Sequence, residues 1–273
     1  MKSYNDLKTT LGKYDSLVEF LELCIRNLKE NAISDADVET KIINALNKSN
    51  INFNANEYKT VKPLIYKNFI AIAYSAFDEF IFDFSKELDI FYGKYKKQKK
   101  TEETKLDFLL ERMETQITKF AIGNIKNSNE YSILEYYRLI RNTFVHASSK
   151  KDTKLQSLHN SVKKLKLDEK YIKYKNLPNS ENEIDFNDFI FVSKITLDLA
   201  FIISKHLDPK IDDYVKFIDE SNFIRYGINS DRFLNSIASF LVTEYRLPFN
   251  VALSIAQLKK EKIETKMTLE SDR

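Results

Sequence analysis

Three side chains within six residues can do chemistry together: Arg141, Asn142 and His146, in the run Arg141-Asn142-Thr143-Phe144-Val145-His146. An imidazole titrates near neutrality and can take or give a proton. A guanidinium offers a planar fork of donors that fits an oxyanion. Asn142 and His146 are one helical turn apart, so the amide can hydrogen-bond and orient the ring. The combination points to proton transfer beside a bound anion. No His, Cys, Asp or Glu cluster with metal-ligand spacing accompanies it, so neither a metal nor a cofactor is expected. Gly12, Gly93, Gly123 and Gly227 are isolated, and no phosphate-binding glycine loop exists. That argues against a kinase or nucleotidase.

A helix must position these groups. Ser132, with Glu135 three residues later, reads as a capping box that opens it. Advancing about 100° per residue places Ile133, Tyr137, Ile140 and Phe144 on one face, flanked by Tyr136 and Thr143. That stripe is the expected core side. Glu135, Arg138, Asn142 and His146 stack on the opposite side, with Arg141 and Val145 at the boundary. Arg141 and His146 are five apart and diverge by about 140° in an ideal helix. They converge if Arg141 reaches round, if the last turn distorts, or if a second copy of the helix contributes. His146 stands where the helix should end, and there the helix dipole favours a protonated ring.

The remaining chain reads as helical too. Of 273 residues, 20 are Phe and 15 Tyr, enough to fill a core without Trp. Only 4 Gly and 4 Pro occur, too few turn residues for sandwiches, barrels or dinucleotide folds. The fold class expected is all-α: a helical bundle with additional N-terminal and C-terminal helices. Helices are expected over 4–29, 34–48, 63–92, 103–122, 132–147, 152–167, 186–207, 210–224, 230–246 and 248–263. Pro63 suits a first turn, Gly93 a stop, and Asn-rich 49–62 a loop. The segments are 1–62, N-terminal helices packing on the bundle; 63–207, the bundle; 208–263, a C-terminal extension; and 264–273, a flexible tail. Cys24, the single cysteine, sits in an apolar run and is expected in the core. No internal disulfide is possible, which with the absence of a signal-like N-terminus suggests a cytoplasmic protein. Charged residues interrupt the longest apolar runs before the ~18 residues a membrane span needs. The net charge of +3 does not by itself predict nucleic acid.

The Arg-polar-x3-His pattern at the end of a bundle helix resembles the HEPN superfamily (higher eukaryotes and prokaryotes nucleotide-binding). The preceding Tyr136-Tyr137-Arg138-Leu139-Ile140 is in keeping with it. So is the earlier helix with Tyr74-Ser75-Ala76-Phe77-Asp78-Glu79-Phe80, since members often place an acidic residue there. The resemblance covers about residues 63–207 and leaves both ends of the chain outside. It implies a metal-independent endoribonuclease whose composite site forms where two motif helices meet in a homodimer. The 2′-OH of RNA attacks the adjacent phosphate and leaves a 2′,3′-cyclic phosphate. On that pattern Arg141, Asn142 and His146 are catalytic, and Asp78, Glu79 and Glu135 support them. Arg138 shares their face and can meet a flanking phosphate. Lys150, Lys163, Lys164, Lys173 and Lys175, interleaved with Tyr171 and Tyr174, are the expected RNA-binding residues. Family association suggests phage defence or a toxin, with an antitoxin or a partner defence protein. Two alternatives stand beside it. One is a non-catalytic helical module for dimerisation or for binding protein or nucleic acid. The other is a protein whose basic loops only bind nucleic acid, with steep salt dependence and no products. His159 reads as surface or packing, and His206 as a cap on a helix end.

Overall fold

In the computed structural model the described residues are 1–29, 34–49, 58–101, 103–145 and 153–271. They form an all-α protein, 78% helical and without strands. The helices are α1 (Lys2–Lys29), α2 (Asp35–Lys48), α3 (Tyr58–Tyr92), α4 (Lys105–Met113), α5 (Lys119–Lys126), α6 (Asn129–Val145), α7 (Thr153–Val162), α8 (Phe186–His206), α9 (Ile211–Phe217), α10 (Asp231–Tyr245) and α11 (Phe249–Ser271). A 3-10 helix spans Glu169–Tyr174, and two more follow α9. No helix among them is long and apolar enough to cross a membrane.

Several boundaries differ from expectation. α3 begins five residues before Pro63, so the proline lies inside the helix rather than in its first turn. The helix expected over 103–122 is two helices. Thr115 turns its hydroxyl back onto the Arg112 carbonyl at 2.8 Å, and Thr118 caps α5 by accepting from the Ala121 amide at 3.2 Å. α5 then runs through Gly123, where a loop was expected. Ser132 is not the cap of α6. Ser128 accepts from the Tyr131 amide at 3.1 Å, while Ser132 donates to the Ser128 carbonyl from inside the helix. Segment 264–273, expected to be a flexible tail, is helical through Ser271. Gly93, at φ +86, does end α3, in the left-handed region that suits glycine.

The chain divides into two compact units, and neither is one continuous segment. The first comprises Met1–Leu7, Glu79–Ile122 and Phe201–Arg273. Its core is aromatic. Phe91 meets Tyr214, Phe217 and Tyr245 at ring-centroid distances of 5.3, 5.2 and 6.0 Å, backed by Phe233, Ile237, Leu241 and Ile255. The second comprises Lys8–Asp78 and Gly123–Ala200, and it holds the motif helix. Ile70, Phe77, Ile133, Tyr137, Ile140, Phe189 and Ile195 are fully buried there. Cys24, expected in this core, is exposed on α1 with Phe20 and Leu23.

Candidate functional site

The aromatic stripe of α6 is buried as its spacing requires. Tyr137 donates to Asp188 at 2.8 Å, and Tyr136 donates to the Asn179 carbonyl at 2.6 Å. Asp188 also accepts from the Asn179 and Asp185 amides, which ties the loop before α8 to the motif helix.

The first turn of α6 is held by ions. Glu130 is buried and accepts from Lys170 at 2.9 Å. The Tyr171 hydroxyl lies 2.9 Å from Glu130 and 2.5 Å from Asp198, one proton between two carboxylates. Lys170 and Lys194 stand 3.3 and 2.9 Å from Asp198. Burial works against a charged Asp198. The hydrogen bonds from Tyr171 and Lys194 outweigh it and hold the carboxyl below its ordinary value.

The last turns of α6 carry the motif. Arg138 Nε lies 3.0 and 2.9 Å from the two Glu135 oxygens, an ion pair of which each side chain is 18% exposed. This face was expected to be open, yet both partners are largely covered. Arg141 stands 6.0 Å from the ring of Tyr74 on α3, within reach of a cation–π contact. Its Nη1 donates to Asn142 Oδ1 at 3.3 Å, and its Nε is buried without a hydrogen-bond partner among the described residues. Among those residues no carboxylate pairs with Arg141 either. Burial pushes the Tyr74 phenol well above its ordinary value, with Glu135 and Asp78 adding to the effect and Arg138 and Arg141 opposing it.

Asp78 thus lies in the neighbourhood of the motif helix, one turn from Tyr74. Glu79 is exposed and belongs to the first unit. Asn142, expected to orient His146, is engaged by Arg141. His146 and Lys150 lie outside the described residues. Among the expected RNA contacts, Lys164 and Lys175 are exposed. Lys163 hydrogen-bonds the Asn176 carbonyl, and Lys173 sits 4.9 Å over the Tyr174 ring. Lys170, in the same stretch, is consumed by Glu130 and Asp198.

Four groups beside the motif were not singled out from the sequence for this site: Tyr74, Lys67, Glu181 and His159. Lys67 on α3 pairs with Glu181 at 3.2 Å. Thr143 Oγ1 lies 3.0 Å from the same Glu181 oxygen and 2.8 Å from the Ile140 carbonyl. His159 on α7 stacks on Tyr136, with centroids 5.2 Å apart and planes at 29°. The four-residue spacing of Tyr74 and Asp78 was a usable signal. Nothing local marks Glu181 or His159. Among the described residues no group of His, Cys, Asp and Glu is arranged to hold a metal ion. No protein-family model, curated protein or solved structure matches the chain.

Proposed function

We propose that this protein is a metal-independent endoribonuclease of HEPN type, acting as a homodimer on RNA, in phage defence or as a toxin. The observation that supports it most is Arg141. Among the described residues no carboxylate neutralises it, and its Nε is buried without a partner. A half-buried, uncompensated guanidinium favours a bound anion, because an unpaired buried charge is costly. A phosphodiester is an anion of matching geometry.

The roles follow from chemistry. Arg141 grips the non-bridging phosphate oxygens and stabilises the charge that grows on them. An imidazole at His146 removes the 2′-OH proton as the 2′ oxygen bonds to phosphorus. The phosphorus–5′-oxygen bond breaks, and the leaving oxygen takes a proton from the second imidazole of the dimer. The products are a 2′,3′-cyclic phosphate and a 5′-hydroxyl. Arg138 acts differently. Paired with Glu135, it stiffens the helix rather than holding substrate.

The test is cleavage of a mixed RNA pool in EDTA by wild type, Arg141→Ala and His146→Ala. Cyclic-phosphate ends that persist in EDTA and vanish in both variants are expected. Cleavage that survives both substitutions, or that EDTA abolishes, overturns the proposal. A non-catalytic module would give no products with wild type, while keeping the dimer.

A further inference from the structure

Beside α6 lies a cavity of about 400 Å³, lined by Tyr136, Leu155, Gln156, His159, Glu181 and Asn182, among others. Its volume falls among ligand pockets, which run about 300–1,000 Å³. All of its lining belongs to the second unit.

The wall is the His159 ring, backed by the fully buried Tyr136. Tyr136 is pinned through its hydroxyl to the Asn179 carbonyl, and His159 stacks on it. His159 Nε2 lies 3.1 Å from the Pro178 carbonyl. A carbonyl only accepts, so in the neutral ring Nε2 carries the hydrogen and Nδ1 is an acceptor. Glu181 is equally constrained. One of its oxygens is taken by Lys67 and Thr143, and among the described residues no donor reaches the other. The Gln156 and Asn182 amides complete the polar lining. No lysine or arginine stands among the described lining residues. It offers a flat π wall, a held carboxylate and an imidazole acceptor. Unstacked RNA bases are held by stacking on such rings and by hydrogen bonds along their edges.

We propose that this cavity is a guanine-binding subsite, holding one unstacked base of the RNA strand cut at the neighbouring motif. This rests on the ribonuclease reading. Guanine is the base with two adjacent nitrogen donors, N1–H and the N2 amino group, and the one Glu181 oxygen left open can accept from both through its two lone pairs. Uracil presents one such donor, while cytosine and adenine present an amino group beside a ring acceptor that a carboxylate repels.

The experiment is NMR of the His159 imidazole in the full-length protein, titrated separately with GMP, AMP, CMP and UMP. Guanosine monophosphate is expected to shift His159 saturably, at an affinity about tenfold above the other three, the cost of an unmatched hydrogen bond. Glu181→Gln should remove that preference, and Gln156→Ala, on the exposed side of α7, should weaken binding without unfolding the protein. His146→Ala should leave it intact. No saturable shift, equal affinities for all four, or an undiminished preference in Glu181→Gln overturns the subsite. Guanosine binding without RNA cleavage supports the subsite and overturns the nuclease. Cleavage without a guanosine-dependent shift does the reverse.

Discussion

The two ends of α6 are built on opposite principles. At its amino end Glu130 is buried, and each strong donor nearby is matched to a carboxylate: Lys170, Lys194 and Tyr171 against Glu130 and Asp198. At its carboxyl end Arg141 keeps a buried Nε without a partner among the described residues. Among the described residues its guanidinium meets an aromatic face and a neutral amide, and no carboxylate. The same 17-residue helix therefore has one saturated end and one unsaturated end. Saturation holds the helix in place. Unsaturation at a fixed position is what a ligand can use, since the protein has already borne the cost of orienting the group.

Substitutions at the two ends should therefore fail differently. The largest effect belongs to the carboxyl end. Arg141→Ala is expected to lower RNA cleavage by about 100- to 10,000-fold, as loss of a catalytic group does, with the melting temperature unchanged. A drop in stability as large as the drop in rate would erase the contrast. Next comes the amino end. Glu130→Ala should cost about 2–3 kcal/mol in urea unfolding, the scale of hydrogen bonds to a charged group, with little effect on the chemical step of the folded enzyme. A third, smaller effect is tied to pH. The Asp198 carboxyl is held below its ordinary value. Its contribution to stability is therefore present above the unfolded-state value of about 3.9 and fades as pH falls through the lower folded-state value. Asp198→Asn should flatten that part of the acid unfolding curve; an unchanged acid slope would show that the network is not coupled to protons. The smallest effect serves as a control away from α6. Arg246 ends α10 in the left-handed region at φ 53. Arg246→Gly should raise stability by less than about 1 kcal/mol, because relief of left-handed strain is partly offset by the looser unfolded chain.

The core side of α6 is legible in the sequence. Ile133, Tyr137 and Ile140 recur at helical spacing, and each is buried. Where the helix starts is not legible, because Ser128 and Ser132 are both sound caps and lie on the same face. The choice between them depends on Glu130 finding Lys170 and Tyr171 forty residues away. The break between α4 and α5 is silent for another reason. Residues 114–118 contain neither Gly nor Pro, and the turn is made by threonine hydroxyls. The opposite face of α6 looked open because a helical wheel carries no neighbours. Tyr74 closes over Arg141 only in three dimensions, whereas the Glu135–Arg138 pair, three residues apart on one face, is legible in the spacing. His159 shows the same limit: its role depends on the Pro178 carbonyl, 19 residues further along the chain.

α1 opens on α3. The Lys2 and Ser3 amides donate to Glu87 at 2.7 and 3.2 Å, and Lys2 pairs with Glu244 on α10. During synthesis on the ribosome residues 1–7 must wait for segments beyond Phe201 before their unit can close. The second unit, by contrast, has all of its segments once Ala200 has emerged. The half that carries the motif can therefore be in place while the other is still an open chain. A chain halted after Ala200 has cleared the ribosome would hold a finished motif helix while the first unit stays open.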